Sequence, residues 1–223
     1  MTIYERALEL VPDGTVIGLG SGRAAWAFVG LLGDHISAGK LRVRGVPTSE
    51  ETARIAKDHG VPLVGLHEAG ELAVTIDGAD EVDPELNLIK GYGRALLREK
   101  IVAASSRKLV ILVGEEKLVP QLGARGRLPV EVIPFAMPLC SRKLTALGLR
   151  PTRWEVSSNP GVTDNGNNIL DCGTNPIGDA AALEANIRNI PGVVGTGLFL
   201  RLADTVLVGS GNEFRMVEER RRA

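Results

Sequence analysis

The chain has 223 residues, is 44% hydrophobic, and balances 26 basic against 27 acidic side chains for a net charge of −1. That length and apolar content can bury a sizeable core in one or two domains. The near-neutral balance excludes the basic footprint of a nucleic-acid binder and the charged face of a membrane-surface protein, and no apolar run approaches the ~18 residues of a bilayer span.

In chain order, Thr15-Val-Ile-Gly-Leu19 is a short apolar strand entering a glycine turn, and Ala24 to Leu32 carries a helical apolar pattern. Leu41 to Val46 alternates with the period of a strand. Thr48-Ser-Glu-Glu51 has the form of a capping box, which predicts a helix running to His59 and stopping at Gly60. Val61 to Leu66 and Leu72 to Ile76 read as further strands, Ala95 to Ala104 as a helix, and Lys108 to Val113 as another strand. Alternation of this kind predicts a parallel sheet with helices on both faces, an α/β fold.

The rhythm changes near Gly123-Ala-Arg-Gly-Arg-Leu-Pro129. Leu128 to Ile133 (strand), Pro138 to Leu147 (helix), Arg153 to Val156 and Asn168 to Asp171 (strands), Asp179 to Ile190 (helix) and Val193 to Leu200 (strand) follow. The order β-α-β-β-α-β predicts a small antiparallel α+β unit. Asp204 to Val208 then reads as a strand rejoining the first sheet. The expected division is a discontinuous first domain, 1–126 and 199–223, with an inserted domain over 127–198.

Two stretches carry chemistry. Gly18-Leu-Gly-Ser-Gly-Arg-Ala24 joins a strand to a helix, where turned-in N–H groups and the helix start favour an anion such as phosphate. It matches neither the dinucleotide fingerprint nor a Walker A loop, and by itself it serves equally as a tight turn. The second stretch starts at Asp77-Gly-Ala-Asp80, runs through Lys90-Gly-Tyr-Gly-Arg94 and reaches Glu99. Two carboxylates at the exit of a buried strand cost desolvation unless solvent, a cation or substrate hydroxyls compensate them. Read blandly, Asp77 is a turn residue, Asp80 a helix cap, Lys90 a solvated surface group and Glu99 a surface ion-pair partner. A Glu99 surrounded by apolar residues would instead have its pKa raised toward that of a general base. Lys117 follows a strand and suits either a surface or a site role.

His35, His59 and His67 have no metal-ligand spacing, and no serine sits in a nucleophile elbow. Cys140 and Cys172 are far apart, as expected of thiols in a reducing compartment. Met1-Thr-Ile-Tyr-Glu-Arg-Ala7 lacks a signal-peptide pattern, so a cytoplasmic location is expected. Arg220-Arg-Arg222 reads as a solvated tail.

On Asp77-Gly-Ala-Asp-Glu-Val-Asp-Pro84, Leu88-Ile-Lys-Gly91, Ala95 to Val102, Leu128-Pro-Val-Glu-Val-Ile-Pro134, Val162-Thr-Asp-Asn-Gly166 and Pro191-Gly-Val-Val194, the chain resembles the A-type ribose-5-phosphate isomerases over almost its whole length. The resemblance implies a Rossmann-like domain carrying an inserted ferredoxin-like domain, and interconversion of ribose 5-phosphate and ribulose 5-phosphate with neither metal nor cofactor. It also implies a homodimer or homotetramer whose partner is a small sugar phosphate. It puts the general base on Glu99, the sugar-handling acids on Asp77 and Asp80, and the catalytic lysine on Lys90. Substrate and phosphate contacts fall on Gly20, Ser21, Gly22, Arg23, Ala24, Gly91 and Lys117. The family's usual Gly-Thr-Gly-Ser-Thr is here Gly20-Ser-Gly-Arg-Ala24, and its glycine run after the lysine carries Tyr92 and Arg94. Those departures keep two rivals open: an isomerase of a different phosphorylated sugar, and a non-catalytic sugar-phosphate-binding module.

Overall fold

The computed structural model describes residues 1–210 and 213–219, so the Arg220–Arg222 charge run lies outside the described residues. The first elements are α1 (Ile3–Glu9), β1 (Val16–Leu19), α2 (Arg23–Ser37), β2 (Arg44–Pro47), α3 (Glu50–Asp58), α4 (Leu66–Ala69) and β3 (Thr75–Gly78). Next come β4 (Glu81–Val82), β5 (Leu88–Ile89), α5 (Leu96–Ala104), β6 (Leu109–Gly114), β7 (Arg127–Val132), α6 (Met137–Ala146), β8 (Arg150–Arg153), β9 (Glu155–Val156) and β10 (Asn159–Pro160). The last are β11 (Asn168–Gly173), α7 (Ala180–Arg188), β12 (Val193–Thr196), β13 (Leu198–Phe199), β14 (Thr205–Ser210) and β15 (Glu213–Glu219).

These elements form two compact units. The first holds Met1–Ala79, Arg98–Lys117 and the described residues from Arg201 onward. Its six-stranded sheet has the order β15-β14-β6-β3-β1-β2, parallel throughout except for β15. The inner strands are apolar along their length because helices cover them. Ile17, Leu19, Ile76, Val110, Leu112 and Leu207 pack against Phe28, Val29 and Leu32 of α2 and Ile3 and Ala7 of α1. From β1 the chain steps outward to β2 and then returns to the other side of β1 for β3. Strand order therefore reverses between β1 and β3, and in open α/β sheets ligands bind beyond the carboxyl ends of strands at such a reversal.

The second unit holds Asp80–Leu97 and Leu118–Leu200. Its antiparallel sheet, in the order β12-β7-β11-β8, is built from the β-α-β-β-α-β succession read from sequence. Leu128, Val130 and Val132 of β7 and Leu170 and Cys172 of β11 turn to one face, against Cys140 and Leu144 of α6 and Ile187 of α7. Strand alternation sends Arg127, Glu131 and Asp171 to the opposite face. A small sheet, β13-β5-β4, belongs to the same unit.

Two local expectations fail. The cap of α3 is Ser49, whose hydroxyl accepts the Thr52 N–H, so Thr48 lies outside the helix instead of starting a capping box. The 61–66 run forms only an isolated bridge, Gly45 to Leu63, before the single turn of α4. Pro62 lacks the N–H that a ladder requires.

Candidate active site

In the first unit, the reversal between β1 and β3 places the glycine loop beside Asp77. Gly20 N–H donates to Ile76 O (2.9 Å), carrying the loop backbone along the end of β3. A Cβ on residue 20 would stand 2.2 Å from Asp77 Oδ1 and 2.5 Å from its Cα, so only glycine permits this approach. The Asp77 carboxylate is fully buried. Its Oδ1 accepts the Ser21 N–H (3.1 Å) and the Gly78 N–H (2.7 Å), which fix its orientation.

Ser21 N–H is thus committed to Asp77, and the first amide to bond within α2 is Trp26 N–H, to Gly22 O. The amides of Arg23, Ala24 and Ala25 belong to the first turn of a 15-residue helix, where N–H groups lack intrahelical acceptors and the dipole is positive. Arg23 is exposed and Ala24 half-buried.

Beneath the loop lies a cluster of hydroxyls that the sequence reading missed. Ser21 Oγ is 2.8 Å from Thr48 Oγ1, 2.8 Å from Ser49 Oγ and 3.0 Å from Thr52 Oγ1. Thr52 Oγ1 also accepts from Trp26 Nε1 (3.0 Å) and donates to Gly20 O (3.0 Å). The available signal was Thr48-Ser-x-x-Thr52 just after a strand. Helix-cap chemistry explains that pattern just as well, and it does not point to the loop.

Glu99 lies in the first turn of α5 and is 4% exposed. Its neighbour Arg98 turns outward and pairs with Glu50 at 2.8 Å, which holds the Glu50 carboxyl below its usual range. At 4% exposure Glu99 is not the surface group that the bland reading allowed. Lys117 ends the one-turn segment Glu115–Lys117 after β6 and is half-buried. The carboxyl ends of three neighbouring strands, β1, β3 and β6, thus carry the glycine loop, Asp77 and the Lys117 turn.

In the second unit, Asp80 is half-buried and its Oδ2 accepts the Tyr92 N–H at 2.9 Å. Lys90 is 2% exposed; its N–H donates to Gly197 O and its ammonium lies 5.6 Å from the Phe199 ring centroid. Gly91 has φ +105° and a Cβ there would stand 2.8 Å from the Leu96 Cβ, so the turn after the lysine requires glycine. Tyr92 and Arg94 turn toward their own unit. The Tyr92 hydroxyl donates to Arg127 O (3.1 Å), and Arg94 pairs with Asp171 (2.8 Å). Burial, reinforced by the Glu81 and Asp80 carboxylates, pushes the Tyr92 phenol up to about 12. Arg94 has φ +71°, a left-handed conformation that costs a non-glycine residue on the order of 1 kcal/mol.

Among the described residues, no group of three His, Cys, Asp or Glu side chains is arranged to hold a metal ion, and no helix is long and apolar enough to cross a membrane.

A family model described as ribose 5-phosphate isomerase A (phosphoriboisomerase A) matches residues 44–213. The chain belongs to that family. Among its relatives, ribose-5-phosphate isomerase A of Roseiflexus castenholzii is 50% identical over 206 residues, covering 92% of this chain and 88% of the relative. Among solved structures, ribose 5-phosphate isomerase A of Methanocaldococcus jannaschii has a TM-score of 0.92 at 42% identity, covering 98% of this chain and 97% of that one. A D-ribose-5-phosphate isomerase in complex with phospho-erythronic acid has a TM-score of 0.93 at 37% identity, covering 97% and 96%. Family membership agrees with the Rossmann-like sheet and the inserted ferredoxin-like sheet of this chain.

Proposed function

We propose that this chain is a ribose-5-phosphate isomerase that interconverts D-ribose 5-phosphate and D-ribulose 5-phosphate through a cis-enediolate. The observation that carries this reading is Glu99: the family's base falls on a carboxylate held 4% exposed on a helix of the first unit. The solved relative bound to phospho-erythronic acid supports the substrate class, because that ligand's planar carboxylate resembles an enediolate at one end and its phosphate resembles the sugar's at the other.

The roles follow the family residue by residue. The sugar must first open, which moves a proton between the ring oxygen and the anomeric hydroxyl; Asp77 and Asp80 are assigned this transfer. Glu99 then takes the C2 proton of the open aldehyde. The C–H electron pair becomes the C1–C2 double bond, and the carbonyl oxygen takes the negative charge. Lys90, a buried lysine, is assigned the stabilisation of that oxygen, and a preorganised donor of this kind typically lowers a barrier by about 3–4 kcal/mol. Glu99 returns the proton to C1, while a hydroxyl proton passes between the two enediolate oxygens, and the ketose results. The phosphate is assigned to the Gly20–Ala24 loop, with Arg23 and the first-turn amides of α2 supplying positive potential and Lys117 a further charge. Gly91, the turn residue after Lys90, is assigned to the substrate contacts by the same carry-over.

The test is ribulose 5-phosphate formation by chelator-treated protein, beside Glu99→Gln. The parent should be active, and the variant should lose roughly 10²- to 10⁴-fold in kcat, the usual worth of a positioned base. Saturating turnover of another sugar phosphate with none of ribose 5-phosphate would establish the rival substrate. Tight binding of ribose 5-phosphate with no exchange of its C2 proton in deuterated water would establish a non-catalytic binder.

We further propose a homo-oligomer working in the cytoplasm. Phe135, 96% exposed beside Ile133 at 39%, supports the first, and two buried free thiols support the second. Sedimentation as a monomer at assay concentration would overturn the oligomer.

A further inference from the structure

The loop after Lys90 is tied down by a set of contacts that the proton transfers above do not require. Asp171 Oδ1 accepts from two arginines at once, Arg94 Nη1 at 2.8 Å and Arg127 Nε at 2.9 Å. Each guanidinium also lies over an aromatic ring: Arg94 Cζ is 4.8 Å from the Trp154 centroid, and Arg127 Cζ is 4.3 Å from the Tyr92 centroid. The contacts close a circuit from Tyr92 to Arg127, Asp171 and Arg94, and so back into the loop. Its ion pairs are half-buried, with side-chain exposures of 18% for Arg94, 20% for Asp171 and 33% for Arg127, so solvent weakens them less than it would surface pairs.

Arg94 keeps a left-handed backbone conformation that glycine or asparagine would adopt with less strain. The partners at the far end of its side chain explain how an arginine holds that position. On its other side the loop grips the acid, through Tyr92 N–H to Asp80 Oδ2 at 2.9 Å.

We propose that Arg94, Asp171 and Arg127 form a latch that fixes the 90–94 loop and thereby positions Asp80 and Lys90 for the isomerisation. All three are positioning residues, acting through the loop. The inference rests on the isomerase reading above. Its physical basis is that a proton-transfer group contributes to rate only while it is held near its productive geometry. It also gives the Tyr92 and Arg94 side chains a use: both brace the loop.

The experiment compares the parent with Asp171→Asn, Arg94→Asn and the double variant, by steady-state kinetics with ribose 5-phosphate and by amide hydrogen exchange over residues 91–94. Each single variant should lose roughly tenfold in kcat, since small displacements of reacting groups cost that much or more. KM should change less than about twofold, because the effect falls on chemistry and not on uniform binding. The double variant should lose little more than either single one, as expected when both open the same latch. Exchange at 91–94 should quicken in all three, and Arg94→Lys, which keeps the charge without the planar fork, should recover only part of the rate. Parent-like kcat in both single variants overturns the proposal. So does a fall in kcat with 91–94 as protected as in the parent. If Asp171→Asn does not fold, Arg94→Asn carries the test, since asparagine relieves strain at that position. A parent that converts no ribose 5-phosphate refutes the isomerase reading and the catalytic half of the latch, while the exchange data still decide whether the latch holds the loop.

Discussion

The glycine loop at 20–24 and the lysine loop at 90–94 both depart from the usual pattern of the family, and the two are braced by opposite chemistry. Under the first lies a group of neutral hydroxyls, Ser21, Thr48, Ser49 and Thr52, tied to the backbone at Gly20 O. Around the second runs a circuit of ions and rings, Tyr92, Arg127, Asp171, Arg94 and Trp154. The first loop also rests on the Asp77 carboxylate, which takes the Ser21 N–H, while the hydroxyls beneath it add no charge. A loop that holds a buried ammonium and a half-buried carboxylate is better served by directional charged contacts. The difference teaches that the two loops should fail in different ways.

The sharpest way to break the comparison is Thr52→Val, an isosteric change that removes the hydroxyl shared by Gly20 O, Trp26 Nε1, Ser21 and Ser49. Buried groups left without partners cost about 1–3 kcal/mol, so thermal unfolding should move down measurably. The KM for ribose 5-phosphate should rise about fivefold, the equivalent of ~1 kcal/mol of lost binding, with kcat near the parent value. This is the reverse of the split expected for the latch variants. A fall in kcat at constant KM would erase the distinction between the loops.

A smaller effect comes from alkali. The Tyr92 phenol is pushed up to about 12, first by burial and then by the Glu81 and Asp80 carboxylates. Below the ordinary phenol range both folded and unfolded chains keep the proton, and the contribution to stability is fully present. Above it the unfolded chain releases the proton first, so stability declines as pH rises toward the folded value. A difference titration of the phenolate absorbance between the parent and Tyr92→Phe should place the Tyr92 transition well above that of a free phenol. A transition in the ordinary range would mean that the lysine loop is open to solvent.

Much of this was legible in the sequence, for identifiable reasons. The runs that became β1, β3 and β6 are apolar and bounded by glycine, and the order of elements after Arg127 carried the inserted topology. Asp77, Lys90 and Glu99 were legible as unusual because each interrupts an apolar or glycine-rich context, and all three prove to be buried. What could not be read depends on contacts between residues distant in the chain. Ser49 and Thr52 read as a helix cap, and only the parallel pairing of β1 with β2 brings them under Ser21. Arg127 and Asp171 lie on one face only because β7 and β11 pair in a register that sets Asp171 opposite Pro129. Strands of two residues, such as β4 and β5, are too short to show a period, so nothing in sequence marked 80–97 as part of the second unit's packing.

The place of β14 in the first sheet bears on how the chain reaches its fold. β14 pairs with β6 across an intervening segment of roughly 90 residues, and its Leu207 joins Ile3 and Ala7 of α1 in one core cluster. The residues around Ile3 and Ala7 therefore wait for those around Leu207, about 200 positions later, before their own core can close. By then the segment between them has been synthesised and its local contacts can already form. Non-local closure of this kind slows folding. Until β14 arrives, the β6 edge stays open, and this is the interval in which the nascent chain is most exposed to pairing with a neighbour.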